Sequence, residues 1–281
     1  MAGAAPDPVA RPLHERIGDP VFREAVACVD AGDVAGLSDL LAAHPELTQA
    51  TAHLPGEGYF EHPSLPEFIA ENPVRHGHMP DNIADVARTI LNADPPPSAE
   101  SIASTLGLVC SGRVVRECGY QGELIALLCA HGADPSGAML AALGHGELAA
   151  ARALLAHGAE MSLPVAAGLG LDAAALLAEA SPADRHLALA LAAQHGHADI
   201  VAMLLAAGEN PDRYNPDGAH GHSTPLHQAA LAGHADVIAA LLAHGARLDI
   251  ADKVHMAQPW QWARHAGHEA LAERLHPPAL T

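Results

Sequence analysis

The chain has 281 residues, of which 49% are hydrophobic and only 3% aromatic, so its core must be built mainly from Ala, Leu and Val. Thirty-three acidic residues against 14 basic ones give a formal net charge of −19. A negative charge of this size repels nucleic-acid phosphates and anionic membrane surfaces, and we expect neither as a partner. The Ala, Gly, Pro and Arg bias is typical of GC-rich bacterial genomes.

The N-terminal segment, residues 1–18, is predicted to be a flexible tail because Pro6, Pro8 and Pro12 disfavour regular structure. It lacks the apolar run that a secretory signal needs, and no window of the chain is apolar enough to span a membrane. The four cysteines form no CxxC pair, which favours reduced thiols in the cytoplasm. We therefore expect a cytoplasmic protein.

After this tail, residues 19–276 are predicted to form one all-α domain of repeated helix pairs. Several segments share a glycine turn, a helix with paired leucines, and a second glycine twelve residues further on. These glycine pairs are Gly146 with Gly158, Gly196 with Gly208, and Gly233 with Gly245. Residues 135–276 follow this pattern more regularly than residues 19–134, where insertions interrupt it.

The segment from Ser223 to Asp249 shows most clearly how one repeat is built. Thr224 can cap the N-terminus of a helix, and Pro225 suits the first helical position, where its missing N–H costs nothing. Gly233 can adopt the positive φ that ends this first helix. The apolar residues Val237, Leu241 and Leu242 then give a second helix one buried face.

This segment, TPLHQAALAGHADVIAALLAHGA, resembles an ankyrin repeat. The resemblance is strongest over 185–275, weaker over 120–180, and weakest before that, where residues 22–47, 62–94 and 101–134 are similar to degenerate repeats. It implies an ankyrin solenoid of about eight helix pairs, with finger loops lining a concave binding face. Runs such as ENPVRHG and TLGLVCSGR resemble a bacterial ankyrin subset that has no settled function.

Many of the 21 histidines fall at repeat positions, where a scaffold role is expected. Two His-Gly-His pairs fall outside those positions, namely His76 with His78 and His220 with His222. Such pairs could hold Zn or another transition metal if further ligands lie nearby. The candidates are Asp212, Asp217 and His62 as ligands, with Glu61, Glu67 and Glu71 as possible bases. The alternative is that these residues only solvate long loops.

The aromatic and basic side chains in the predicted loops are candidates for a contact surface, since aromatic and Arg side chains often anchor partners. The predicted binding surface consists of Tyr59, Phe60, Arg75, Arg213, Tyr214, Asn215, His220 and His222. Trp260 and Trp262 are expected to cap the last repeat. For Arg75 and Arg213, together with Arg113 and Arg116, the alternative is pairing with the surplus of acidic residues.

Two functions are compatible with these features. The first is a monomeric, non-enzymatic scaffold that binds a protein or peptide, preferably basic, on its concave face and the loops 53–63, 72–82, 211–223 and 251–258. The second is a metal-dependent enzyme or small-molecule binder that uses the His-Gly-His loops. No nucleophile triad, phosphate-binding glycine loop or HExxH motif supports a particular reaction.

Overall fold

The computed structural model describes residues 12–276, and this part of the chain is helical. β-Structure within it is limited to one bridge, between Thr51 and Ser64. The all-α prediction is confirmed. The described residues divide into two compact units: unit 1 comprises residues 12–142 and 149–159, and unit 2 comprises residues 143–148 and 160–276.

Unit 1 contains two layers of helices. In one layer, the helix Pro20–Ala31 packs on the 3-10 helix Leu65–Ala70, which packs in turn on the helix Ala99–Ser111. In the other layer, the helix Ile83–Leu91 packs between the helices Val34–Ala43 and Gln121–Ala130. The α-helices before residue 160 are α1 (Pro20–Ala31), α2 (Val34–Ala43), α3 (Ile83–Leu91), α4 (Ala99–Ser111), α5 (Arg113–Glu117), α6 (Gln121–Ala130), α7 (Met139–Gly144) and α8 (Leu148–Ala156). Helices α7 and α8 each include residues of both units.

The predicted first helix of the 62–94 segment is a short 3-10 helix, Leu65–Ala70. A capping box between Ser64 and Glu67 starts it, and Glu71 ends it by adopting a left-handed conformation at φ 48°. A non-glycine residue in this conformation costs free energy and needs support from its surroundings. That support comes from the loop that follows, in which the backbone N–H groups of Arg75 and His76 donate hydrogen bonds to the Glu71 carboxylate.

Part of the predicted flexible tail is described by the structure. A 3-10 helix spans Leu13–Arg16, Ile17 is buried, and Arg16 forms an ion pair with Glu57. Residues 1–11 of the predicted tail lie outside the described residues. Arg16 and Ile17 therefore pack against the rest of unit 1.

Unit 2 has the same two-layer construction with shorter connections. Helices α9, α11, α13 and α15 pack side by side in one layer, and α12 packs on α14 in the other. The ranges are α9 (Leu163–Leu169), α10 (Ala174–Leu177), α11 (Pro182–His195), α12 (Ala198–Ala206), α13 (Pro225–Ala232), α14 (Ala235–Ala243), α15 (Pro259–His265) and α16 (Glu269–Leu275). Buried alanines such as Ala192 and Ala229 let neighbouring helices approach closely.

Helix α13 begins and ends as its sequence predicts. Pro225 occupies the first turn, and the Nδ1 of His227 accepts hydrogen bonds from the Thr224 backbone N–H, at 3.2 Å, and hydroxyl, at 2.8 Å. The His227 Nε2 donates to the carbonyl of Ala257, 3.1 Å away. Burial lowers the pKa of His227, so the neutral ring holds this geometry. The TPLH histidine thus ties its helix to the next finger loop.

Two other framework histidines of unit 2 pack on the preceding repeat. The His197 ring lies against Gly170, and the His234 ring lies against Gly196. Each ring also donates its Nε2 proton to a backbone carbonyl, at 3.2 Å for His197 and 3.1 Å for His234. These histidines are scaffold residues, as the repeat pattern indicates.

Candidate functional site

The two finger loops of unit 2, residues 211–223 and 251–258, pack on each other through backbone and ring contacts. The Tyr214 hydroxyl donates to the carbonyl of Ala251 at 2.7 Å, and the Lys253 N–H donates to the carbonyl of His222 at 2.8 Å. The Lys253 ammonium lies 4.2 Å from the centre of the Tyr214 ring. This cation–π contact also joins the two loops.

Asp252 organises the loop 251–258. Its carboxylate accepts hydrogen bonds from the N–H groups of Val254, His255 and Ala257, at 2.8, 2.6 and 3.1 Å, and from the Trp262 Nε1 at 2.9 Å. Burial raises the pKa of Asp252, but these hydrogen bonds outweigh burial and hold the pKa at about 2, below the ordinary value of 3.8. The side chain is therefore an anion that fixes the shape of the loop.

This loop borders an apolar cleft of about 470 Å³. The cleft is lined by Leu231, His255, Ala257, Gln261, Trp262 and His265. In the same loop Val254 and Met256 are 62% and 72% exposed, and Leu231 at the cleft wall is 38% exposed. Large apolar side chains beside an aromatic-lined cleft are typical of protein contact surfaces.

The predicted His-Gly-His pair of unit 2 lies at the edge of these fingers. The ring centres of His220 and His222 are 6.1 Å apart. His220 donates its Nε2 proton to the carbonyl of Gly144 at 3.1 Å, and burial lowers the pKa of His220. The His222 ring packs on Trp262, with ring centres 5.7 Å apart. Both rings therefore contact residues of unit 2 outside the finger loops.

The predicted partners of this pair do not join it. Among the described residues, neither His220 nor His222 belongs to a group of three or more potential metal ligands. The Oδ1 of Asp212 accepts the backbone N–H of Arg247 at 2.9 Å instead. Within residues 12–276, no third potential ligand atom lies close enough to group with this histidine pair.

The other predicted surface residues of the finger 211–223 differ in exposure. Arg213 is exposed and Tyr214 is half-buried, whereas Asn215 is only 4% exposed. The Asn215 backbone N–H donates to the carbonyl of Ser223 at 2.8 Å and closes the finger. Asn215 therefore shapes the loop, and it is too buried to touch a partner.

The repeat pattern of unit 2 matches a known family. Residues 163–252 match the model for ankyrin repeats in three copies. This segment is therefore a run of ankyrin repeats. No curated protein matches the chain. The matched ankyrin repeats run from α9 to the start of the finger 251–258, and the predicted total of about eight repeats stays a prediction.

The residues that the ankyrin resemblance did not single out are those of the cleft. Trp262 was expected to cap the last repeat, but it lines the cleft and contacts both His222 and His227. Trp260 packs on the hydrophobic core, under the Arg264 guanidinium. The available signal was the apolar pair Val254 and Met256 in a finger loop, where polar residues are the norm.

Outside the matched ankyrin repeats, the structure removes Arg75 from the predicted contact surface. Its side chain is only 4% exposed, and its guanidinium donates to Asp30 at 2.6 Å and to the carbonyl of Phe68 at 2.7 Å. It also pairs with Glu71 at 3.3 Å. The guanidinium holds the core of unit 1 together, which is the alternative that the acidic surplus indicated.

The neighbouring His76 and His78 are exposed but are also engaged in this loop. His76 lies 3.1 Å from Asp30, and its backbone N–H donates to the Glu71 carboxylate at 3.0 Å. Asp30, Glu71 and His76 place one potential ligand atom each within 4.8 Å of one another, and His78 is outside that group. The His76 and His220 pairs lie in different units, so each must be judged separately as a metal site.

The two aromatic residues predicted at the loop 53–63 separate in the structure. Phe60 is 2% exposed and packs on Phe68, with ring centres 5.3 Å apart. Tyr59 is 71% exposed, and its hydroxyl donates to Asn72 at 2.8 Å. Phe60 is therefore a core residue, and only Tyr59 offers its ring to a partner.

Among residues 12–276, no helix is long and apolar enough to cross a membrane. None of the four cysteines, all of which lie within residues 12–276, forms a disulfide bond, and burial raises the pKa of Cys28 and Cys129. A raised pKa keeps a thiol protonated and poorly nucleophilic. These properties fit the reduced thiols that the cysteine spacing favours.

Proposed function

We propose that this chain is a recognition module that binds a peptide segment of a partner protein at the apolar cleft of unit 2. Ankyrin repeats generally mediate protein–protein interaction, which supports this class of function. The observation that carries the proposal is the finger 251–258, which exposes Val254 and Met256 beside the Trp262 cleft. A rigid loop with exposed apolar side chains loses little entropy when it binds.

The chemistry of the partner follows from the cleft and from the charge. The cleft accepts one or two apolar side chains, and Trp262 supplies the aromatic wall. The net charge of −19 attracts positively charged partners within about a Debye length of the surface and raises their association rate. We therefore propose a peptide with an apolar anchor flanked by Lys or Arg.

Selection from a random-peptide phage library tests this proposal. The expected result is enrichment of peptides that combine an apolar anchor with basic residues. The double variant Val254→Asp, Met256→Asp should lose these peptides, because charged side chains in the finger oppose burial of the anchor. Both residues are exposed, so the variant should fold normally.

A matched control carries the same two changes at exposed positions outside the cleft. Val74 and Met161 are 55% and 41% exposed, so Val74→Asp, Met161→Asp alters the net charge equally. This control should bind the selected peptides as the unchanged chain does. Failure to enrich any peptide, or equal binding by the cleft variant, would contradict the proposal.

The second predicted function, a metal-dependent enzyme or small-molecule binder that uses the His-Gly-His loops, stays a prediction. His76 and His220 are both held by contacts within their own units, which gives it no added support. Metal analysis of a variant with Ala at His76, His78, His220 and His222 remains its direct test.

A further inference from the structure

A short antiparallel pairing in unit 1 places two histidines side by side. The Ala52 N–H donates to the carbonyl of Pro63 at 2.9 Å, the Leu54 N–H donates to the carbonyl of Glu61 at 2.8 Å, and Thr51 bridges to Ser64. This register sets His53 opposite His62 at a position without direct hydrogen bonds, where cross-strand side chains are closest. Their rings stack with centres 4.9 Å apart and planes 16° apart.

The Glu61 carboxylate joins this pair. Side chains of adjacent strand residues normally point to opposite faces, which would separate Glu61 from His62. Glu61, however, has helical dihedrals, φ −73° and ψ −32°, because it follows the 3-10 helix Gly58–Phe60. One ligand atom each from His53, Glu61 and His62 lies within 4.8 Å of the other two.

These three side chains are not committed to other polar groups. Within residues 12–276, no hydrogen bond or ion pair engages the rings of His53 and His62 or the carboxylate of Glu61. The group of Asp30, Glu71 and His76 differs, because its carboxylates are bound by Arg75 and by backbone N–H groups. A cation at His53, Glu61 and His62 would displace no hydrogen bond or ion pair among the described residues.

A polar cavity of about 560 Å³ adjoins this group, with Glu61 and His62 in its wall. The remaining lining is rich in hydroxyl and carboxylate groups and contains no Lys or Arg: Thr48, Gln49, Thr51, Gly58, Tyr59, Ser64, Glu67, Ser98, Glu100, Ser101 and Ser104. Glu67 is held in the wall by the Ser64 N–H at 2.6 Å and hydroxyl at 2.7 Å. Walls of this composition favour a cation over an anion.

We propose that His53, Glu61 and His62 bind one divalent transition-metal ion of the zinc type at the mouth of this cavity. Two imidazoles and one carboxylate suit Zn²⁺, Co²⁺ or Ni²⁺, and three protein ligands leave a coordination position open. Ligand atoms around tetrahedral zinc lie about 3.3 Å apart, so side-chain rotations must bring the three atoms closer by up to about 1.5 Å. Both histidines are exposed, so these rotations change the stacking of the two rings without moving the buried core.

The test is titration of chelator-treated protein with ZnCl₂ by calorimetry, and with CoCl₂ by visible absorption. The unchanged chain should bind about one equivalent of metal and give the absorption of Co²⁺ with nitrogen ligands. The variant His53→Ala, His62→Ala should bind at least about 100-fold more weakly, since even outer-shell changes cost 10–100-fold. Glu61→Gln should also weaken binding, which a chelate of two surface histidines alone would not show.

The matched control is His76→Ala, His78→Ala, which removes two other exposed histidines of unit 1 and should keep full metal binding. Zinc should raise the melting temperature of the unchanged chain and of this control, but not of the His53/His62 variant. Circular dichroism of the metal-free proteins checks that all of them fold. Absence of metal binding, its persistence in the His53/His62 variant, or its loss only in the control would overturn the proposal.

Discussion

Gly233 illustrates how one residue joins two repeats. It ends α13 at φ 75°, and a Cβ atom built there would lie 2.7 Å from the His268 ring of the next repeat. Two costs therefore oppose any other residue: a left-handed backbone and a steric clash. The same contact recurs at Gly170 and Gly196, whose neighbours are His197 and His234. The regular recurrence of these glycines and histidines along the sequence reflects this packing between repeats.

We predict that Gly233→Ala destabilises the chain by about 2–4 kcal/mol, of which about 1 kcal/mol comes from the backbone and the rest from overpacking. Gly267 is the matched control, because it has a similar φ of 83° but open space where its Cβ would lie. Gly267→Ala should lose only the backbone part. Urea unfolding measures both, and equal losses would show that the His268 contact carries no cost.

At the scale of elements, the finger 251–258 takes its shape from one buried carboxylate. Asp252 accepts three backbone N–H groups of its own loop and the indole N–H of Trp262 from α15. The loop, the cleft and the start of the last helix pair are thus connected through a single side chain. Met256 is held at φ 53° within this turn, which directs the exposed part of the finger.

We predict that Asp252→Asn lowers the free energy of unfolding by about 2 kcal/mol at pH 7, because buried N–H donors lose a charged acceptor. The folded pKa of about 2 lies below the ordinary 3.8, so the ionised carboxylate stabilises the fold above that range. This stability is lost as pH falls from 3.8 towards 2. The difference between variant and unchanged chain should therefore shrink in that window.

Urea midpoints measured at pH 7 and at pH 3 check this expectation. The control is Asp249→Asn, which alters an exposed carboxylate paired with the exposed Arg247 and should change the midpoint little. A difference between Asp252→Asn and the unchanged chain that stays constant with pH would contradict the assigned role of the carboxylate.

At the scale of the whole molecule, the surplus of acidic residues is the dominant electrostatic feature. With a net charge of −19 on 281 residues, the acidic groups repel one another in the folded state. The unfolded chain reduces that repulsion by expanding. Several arginines are used in local ion pairs, such as Arg75 with Asp30 and Arg88 with Glu123, and these neutralise only part of the charge.

We predict that the melting temperature at pH 7 rises as NaCl increases from about 0.02 M to about 0.2 M, where the Debye length falls from about 20 Å to about 7 Å. Repeating the series near the isoelectric point of about 5.4 is the control, because little net charge is left to screen. The rise should be much smaller there. A melting temperature that falls with salt at pH 7 would show that attractive ion pairs outweigh the repulsion.

The fold was largely predictable, because the ankyrin pattern is local. The cap at Thr224, the turn at Gly233 and the buried stripe of α14 each depend on residues within one repeat. The insertions of unit 1 were less predictable. The 3-10 helix Leu65–Ala70 depends on Glu71, whose strained conformation is supported by backbone N–H groups of Arg75 and His76.

The sequence by itself determined the repeat family, the all-α class and the scaffold role of the framework histidines, since these follow from spacing along the chain. Only the tertiary structure decided which loop residues are exposed enough to contact a partner. It buried Phe60, Arg75 and Asn215, and it exposed Val254 and Met256 beside Trp262. It also set His53 opposite His62, because cross-strand register depends on hydrogen bonds between segments that the sequence pattern does not align.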